Sequence, residues 1–582
     1  MCGIYGITAK DEPFIKNYIT TCKHRGPDGQ SIWSDDFVTL GHNLLAITEH
    51  PDVSTQPWIT PRGNVLIYNG EIFNYYELCA KFNDFVPRTT CDTELLAWGL
   101  DEHGIGFLDI VDSMHGFAYY DVEAKKIWLS RDHAGIKPLY YAQISEGLVF
   151  GSEIKGMLDK VPNAHTVDEM AMSCYSHCGT NVTRHSFFSN VKKLMCGETI
   201  EYNIEHKTLT QIKRNLIYPN ADNDVDYEEF RQTMHESVKM CSIGKRQIGV
   251  FLSGGIDSTM VAYELNKIQP PAWTFTNQID PLPQADENFN SDAQAAGHLA
   301  TVENFNHTFV NVTPEVYYNS WDNAMYYMEQ PVYNGNLPMY YHTNKFLSEH
   351  GVVVTMAGDM GDEVLAGYPA YWKLRRDIQQ NPKAFDSQKK LVMRWLNKLK
   401  RPPNLPGMRY SREDICEELL QTTFTNSIYN NQDPVASYMS LDATGLCPED
   451  FFGRNDRYGM AFSMEGRFPL ATKKFMRYCM NIKTAHKMGK QEHETKRIPR
   501  TAYKGYLPDK VINKEKTGWT APALFWSKQK MDKNMLKTTF NKSFASPKHN
   551  IKGLDKEPDG GYKGVIPGLM TSDWATKYNM TI

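Results

Sequence analysis

The chain has 582 residues, and at roughly 150 residues per domain that length argues against a single compact core. Lys+Arg of 63 against Asp+Glu of 68 leaves a formal charge of −5, which removes the long-range positive field of a nonspecific nucleic-acid binder, and 41% apolar residues exclude disorder for most of the chain. No run approaches the ~18 apolar residues of a membrane span, and Met1–Lys10 lacks the basic start and apolar stretch of a signal peptide, so a cytoplasmic setting with reduced cysteines is expected.

Short apolar runs broken by Gly, Pro, Asn and Asp predict strands at Val65–Tyr68, Gly116–Tyr120, Ile127–Ser130 and Leu139–Ala142. Helical spacing appears near Asn74–Phe82 and Thr93–Glu102, and the mixture points to an α+β domain with antiparallel pairing. Polar Lys207–Asp226 reads as the interdomain boundary. Beyond it, strands at Gln247–Leu252, Ala272–Thr276, Phe305–Val310 and Val352–Met356 alternate with helices at Asp257–Leu265, Asp292–Thr301 and Met339–His350, the pattern of a parallel sheet. Tyr371–Lys537 is largely helix-compatible, and Pro547, Pro558, Gly560, Gly561 and Pro567 predict a loosely ordered tail over 546–582. Asp222–Asp226 begins like a calcium loop but has Tyr227 and Thr233 where Gly and Glu belong, and Cys174, His177 and Cys178 lack a second metal-ligand pair.

Cys2 follows only the initiator Met1. Removal of Met1 would leave an α-amine of pKa about 7.7–8.0, close enough to neutrality to act as base for its own thiol. Its companions are His24-Arg25-Gly26-Pro27-Asp28, Tyr68-Asn69-Gly70-Glu71, Cys91-Asp92-Thr93-Glu94, Arg131 to Tyr140 and Gly151-Ser152-Glu153-Ile154-Lys155. Asn69-Gly70 alone would read as a hairpin turn. Together these motifs resemble the class II glutamine amidotransferase domain, an N-terminal-nucleophile αββα sandwich, over about residues 2–205. The resemblance implies Cys2 as nucleophile, the Asn69 amide and Gly70 N–H as oxyanion hole, and Asn69, Gly70, Glu71 and Asp92 as the glutamine site, with Asp92 holding the substrate ammonium. One position departs: Leu44 stands where the family carries an Arg that pairs with the glutamine α-carboxylate, so either another cation compensates or glutamine binds weakly.

Ser253-Gly254-Gly255-Ile256-Asp257-Ser258 lies between a predicted strand and helix, where unpaired N–H groups and two glycines suit phosphate, and it lacks the Gly-Lys-Ser/Thr ending of a Walker A loop. A second, acidic loop runs from Ala357 to Tyr368, and carboxylates beside phosphate call for a divalent cation, with Asp257 and Asp362 as the natural Mg²⁺ ligands. With Glu329-Gln330-Pro331, Asn455-Asp456-Arg457, Met464 to Pro469, Lys496 to Arg500 and Lys514 to Trp519, this half resembles the asparagine synthase (ATP pyrophosphatase) domain over about 226–545. That resemblance implies ATP contacts from Leu252, Ser253, Gly254, Gly255, Asp257, Ser258, Asn277, Ala357 and Gly358, adenylate formation at Asp359, and a catalytic Lys496. Met360 replaces a family glycine, and Leu470-Ala471-Thr472 replaces a family Phe-Leu-Asp.

Both halves together resemble glutamine-hydrolysing asparagine synthetases: an αββα sandwich followed by an α/β parallel-sheet domain with a largely helical C-terminal part. The implied partners are small molecules, namely aspartate, ATP with Mg²⁺, and glutamine or ammonia, without nucleic acid or membrane; a homodimer is one assembly the resemblance allows. Competing readings are an amidotransferase for another carboxylate, a ring-closing synthetase, which usually lacks the N-terminal Cys, and a degenerate binding protein.

Overall fold

The computed structural model describes residues 2–48, 50–280, 289–399, 409–422, 429, 432–514 and 565–581. Two six-stranded antiparallel sheets build the first unit. One runs Lys192–Lys193, Tyr140–Gln143, Leu148–Gly151, Cys2–Ile7, Thr39–Leu44, Gly29–Ser34; the other runs Thr208–Arg214, Glu198–Asn203, Lys126–Arg131, Ser113–Asp121, Val65–Ile72, Trp58–Ile59. The period of two along each strand sorts the side chains into three layers. Ile4, Val65, Ile67, Ala118, Leu129 and Phe150 fill the space between the sheets. Tyr5 and Ile7 face outward onto helices Glu12–Thr21 and Glu169–Cys178, while Leu66 and Tyr68 face the opposite way onto Tyr75–Lys81 and Asp92–His103. The result is αββα, and all six residues of Cys2–Ile7 are buried because both faces of that strand are covered.

The second unit carries a five-stranded sheet in the order Asn306–Val312, Trp273–Ile279, Ile248–Phe251, Val354–Met356, Glu465–Arg467, every pair parallel. Chain order therefore reverses between Ile248–Phe251 and Val354–Met356, and the crevice beyond their carboxyl ends is where an open α/β sheet takes its ligand. The loops Leu252–Gly255 and Ala357–Met360 both start there. A helical layer follows, including Pro369–Gln380, Gln388–Lys398 and Pro434–Leu441, packed around fully buried Trp395.

Two expectations are corrected. The polar boundary at Lys207–Asp226 begins with a strand, Thr208–Arg214, at the edge of its sheet: half-exposed edge residues need backbone pairing rather than apolar side chains, so the composition gave no strand signal. In the expected tail, 546–564 lies outside the described residues, but Val565–Lys577 is a helix with Trp574 fully buried. Burial of Trp574, Met570 and Tyr578 outweighs the nearby Pro and Gly. The expected end of the second domain at 545 also lies outside the described residues.

The two units share one apolar core, in which Leu45, Ile47, Phe73, Met114, Ala134 and Ile136 of the first pack with Val250, Met356, Phe468 and Leu470 of the second. Polar bonds cross the same boundary. Asp112 accepts from the N–H groups of Lys473 and Lys474, both at 2.8 Å, at the start of helix Lys473–Asn481, and Thr472 caps that helix through its hydroxyl. A carboxylate from the other unit thus supplies the negative charge that helix N-terminus favours.

Asp442, in the π-helix Asp442–Phe452, accepts from Tyr371 Oη at 2.7 Å and Trp395 Nε1 at 2.6 Å, and burial pushes its carboxyl up to about 6. Folding therefore favours its protonated form, so its contribution is full at low pH and declines from about pH 4 to about pH 6. The variant D442N should lose that pH dependence, with the stability difference between variant and wild type changing by up to roughly 3 kcal/mol between pH 4 and pH 7 in denaturant titrations.

Candidate active sites

The backbone nitrogen of Cys2 donates to Asn69 Oδ1 at 3.0 Å, so a side chain from the facing sheet holds the atom that would become the α-amine. Asn69 is fully buried, and among the described residues its Nδ2 meets no hydrogen-bond partner. A buried orphan donor is costly, and an acceptor arriving with substrate would satisfy it. At Gly70 an added Cβ would lie 2.2 Å from the Met114 carbonyl oxygen, so no other residue fits beside that donor. Burial pushes the Cys2 thiol up.

Asp92 accepts from Ile72 N at 2.9 Å, and burial pushes its carboxyl up to about 6. Glu71 is raised by burial and by the Asp92 charge, with Arg467 at 3.4 Å as its counterion. Two crowded acids of this kind would both relax on receiving an ammonium group. Leu44 is paired opposite Cys2 and packs with it and Ala46, forming an apolar wall at the position of the family's Arg. Arg246 of the second unit approaches the same loop: its Nε donates to the Ala46 carbonyl at 3.0 Å, and a terminal nitrogen is 3.6 Å from Asp28.

Arg25 has no exposed surface. It donates from Nε to the Cys2 carbonyl at 3.2 Å, to Glu153 at 3.1 Å, and through both terminal nitrogens to Asp456 of the second unit at 2.9 and 3.3 Å. Glu153 also pairs with His24 at 2.9 Å and with Lys155. Lys155 in turn meets Glu329 at 3.2 Å, and Arg457 meets Glu329 at 3.5 Å.

At the switch point of the parallel sheet lies a cavity of about 270 Å³ lined by the expected Leu252, Ser253, Asp257, Ser258, Asn277, Ala357, Gly358, Asp359 and Asp362. Gly254, at φ +67°, shapes the turn into helix Ile256–Ile268, and a Cβ on Gly358 would lie 2.7 Å from Ser258 N at that helix's first turn. Met360, which stands where the family carries a glycine, adopts φ +77°, the left-handed region that glycine favours, with its side chain buried in the shared core. Asn277 Oδ1 accepts from Thr343 Oγ1 at 2.8 Å, and Asp359 accepts from Asn455 Nδ2 at 3.1 Å. Lys496 places its ammonium between Asp257 and Asp362, 2.6 Å from the latter. Burial alone would lower its pKa, and the two carboxylates more than reverse that. Glu363 also lines the cavity, bonded to Tyr368 Oη at 2.7 Å, and burial with the adjacent Asp362 charge pushes it up to about 8.

Two converging carboxylates are hard oxygen donors of the kind Mg²⁺ takes when phosphates complete its shell. Among the described residues no group of three or more His, Cys, Asp or Glu could hold a metal alone. Asp257 and Asp362 present oxygen donors that fit the magnesium of a nucleotide complex.

Residues 229–557 match the family model described as asparagine synthase. The chain belongs to that family. Residues 1–213 match the glutamine amidotransferase domain. The chain is 25% identical over 576 residues to asparagine synthetase (glutamine-hydrolyzing) 1 of Bacillus subtilis (strain 168), covering 91% of this chain and 89% of that protein. Asparagine synthetase B (glutamine-hydrolyzing) of Escherichia coli (strain K12) is 24% identical over 542 residues, covering 89% and 81%. A 32% identity to asparagine synthetase (glutamine-hydrolyzing) 2 of Bacillus subtilis (strain 168) spans 287 residues, 45% of this chain and 38% of that protein. Among the described residues no helix is long and apolar enough to cross a membrane.

Sequence reading gave no role to Arg25, Glu153, Glu329 or Asp456, although each lies in a motif it singled out. It also passed over Tyr340, Thr343 and Arg454, which line the cavity or hold its lining. Arg25 and Asp456 are 431 positions apart, and no local pattern announces such a pair.

Removing Arg25 takes one of three partners from buried Glu153 and leaves buried Asp456 with the more distant Lys137 Nζ at 3.9 Å. The variant R25M should lose about 3–5 kcal/mol in denaturant titrations, and R25M combined with D456L should recover part of that loss.

Proposed function

We propose that this enzyme makes asparagine from aspartate and ATP with ammonia released from glutamine. One observation carries the reading: consecutive residues of helix Gly453–Ala461 touch both sites, Asn455 bonding Asp359 in the cavity and Asp456 bonding the Arg25 that holds the Cys2 carbonyl.

In the first chamber, with Met1 removed, the Cys2 α-amine takes the thiol proton and the sulfur attacks the glutamine side-chain carbonyl. Asn69 Nδ2 and Gly70 N–H receive the developing oxyanion, each such donor being worth about 3–4 kcal/mol in the transition state. Collapse expels ammonia and leaves a thioester, which water resolves to glutamate. Asp92 and Glu71 receive the substrate ammonium.

In the second chamber the ATP phosphates lie against the turn Ser253–Ser258 and the following helix N-terminus. Asp257 and Asp362 would hold magnesium, which when bound would supply positive charge to the phosphates and to the pyrophosphate leaving group. In the cavity that Asp359 lines, attack of the aspartate β-carboxylate on the α-phosphorus forms an acyl adenylate and releases pyrophosphate, the step to which we assign Asp359. Lys496, freed from its two carboxylates, supplies a cation to the charge that develops. Ammonia then displaces AMP, and the water-excluding apolar core between the units keeps it unprotonated.

The Leu44 wall leaves the glutamine α-carboxylate without its family partner, and we assign that role to Arg246. A second reading, use of ammonia alone, follows from the same Leu44.

The deciding assay supplies purified protein with ATP, Mg²⁺ and aspartate, and either glutamine or ammonium, and scores asparagine, AMP and pyrophosphate. Wild type should turn over with both nitrogen sources, and C2A with ammonium alone. Loss of a charge-assisted contact in R246A should raise the glutamine KM about 10- to 100-fold without changing the ammonium reaction. Wild-type turnover restricted to ammonium would establish the second reading; ADP and phosphate as products would overturn both.

A further inference from the structure

We propose that helix Val565–Lys577 positions the Cys2 nucleophile, acting through Trp574 and Glu329. The inference rests on the reading of Cys2 given above.

The helix bridges the units. On the first, Trp574 sets its ring edge-on to Phe187 and Phe188 at 5.6 and 5.4 Å, Val167 N donates to the Thr581 carbonyl at 2.8 Å, and Thr581 N donates to His165 O at 2.7 Å. On the second, Asp573 accepts from Trp321 Nε1 and Tyr578 Oη donates to Tyr326 O at 2.6 Å, both partners lying on helix Pro314–Met328.

Glu329 ends that partner helix, and it is held at both of its polar ends. Its carbonyl accepts from Trp574 Nε1 at 3.1 Å; its carboxylate accepts from Ile154 N at 3.1 Å, Lys155 N at 2.8 Å and Lys155 Nζ at 3.2 Å. Its backbone is at φ +56°, a left-handed conformation that a residue with a Cβ keeps only when its surroundings impose it. Trp574 is one of the restraints imposing it, beside Ile154, Lys155 and Arg457. From Lys155 the contacts continue to Glu153, to Arg25 and to the Cys2 carbonyl. Glu329, Glu153, Arg25 and Trp574 are all at most 2% exposed, so no water stands ready to replace a broken link. Loss of the indole N–H frees the Glu329 carbonyl, lets its backbone leave the left-handed region, and shifts the Ile154-Lys155 segment that orients Glu153 and Arg25.

Trp574 and Glu329 touch no expected substrate, so they are positioning residues. The test uses the full-length protein and W574F, which keeps an aromatic ring against Phe187 and Phe188 and removes the N–H together with the second ring of the indole. Two readouts are taken. One is glutamine-dependent against ammonium-dependent asparagine formation; the other is the alkylation rate of Cys2 by iodoacetamide, followed by mass spectrometry of the peptide that carries it, which needs no turnover. W574F should lower glutamine-dependent kcat about tenfold, leave the ammonium reaction within twofold, and change the Cys2 alkylation rate at least threefold. The double variant W574F/E329Q should alkylate at the rate of E329Q alone. A Cys2 alkylation rate equal to wild type in folded W574F, or additive effects in the double variant, overturns the proposal. Absence of glutamine turnover in wild type would instead count against the proposed function, and the alkylation comparison would still decide the positioning role.

Discussion

One buried guanidinium sets the geometry on which both sites depend. Arg25 binds the carbonyl of Cys2 with one nitrogen and two carboxylates with the others, one from each unit. Taking such charges out of water costs several kcal/mol per ion, and the bonds formed do little more than offset it, so the network contributes position more than stability. Any sliding of the units past each other would separate Arg25 from Asp456 in a region without solvent.

The segment Asn455-Asp456-Arg457 shows how a single helix serves several neighbours. Successive residues point about 100° apart around the axis. Asn455 therefore reaches Asp359 in the cavity, Asp456 reaches Arg25, and Arg457 meets Tyr140 and Glu329. Movement of this helix would disturb the cavity of the second unit and the Cys2 carbonyl contact together. The shared apolar core, with Met360 and Leu470 packed among Leu45 and Ile136, gives that coupling a rigid background.

Local chemistry was legible in the sequence and distant chemistry was not. Strands such as Val65–Ile72 and Ile248–Phe251 declared themselves through apolar runs, and Ser253 to Ser258 through glycines placed between a strand and a helix. Edge strand Thr208–Arg214 did not, since its hydrogen bonds come from the neighbouring strand and its side chains face water. Helix Val565–Lys577 was hidden by nearby Pro and Gly, while its anchor, Trp574, finds partners more than 240 positions away. The departures from family pattern were visible as letters, but their consequences needed coordinates. Met360 keeps a glycine-like φ, and Asp112 brings a carboxylate to the helix that Thr472 caps. Leu44 closes an apolar wall on the thiol, and nothing in a linear sequence says that Arg246 reaches the adjoining loop.

The central claim is that nitrogen passes between two chambers held in fixed register. Glutamine labelled with nitrogen-15 at its side-chain amide, supplied with ATP, Mg²⁺, aspartate and an excess of unlabelled ammonium, tests it directly. The account predicts asparagine whose side-chain amide carries a higher nitrogen-15 fraction than the free ammonium pool throughout the reaction. Asparagine labelled only to the level of that pool would contradict it.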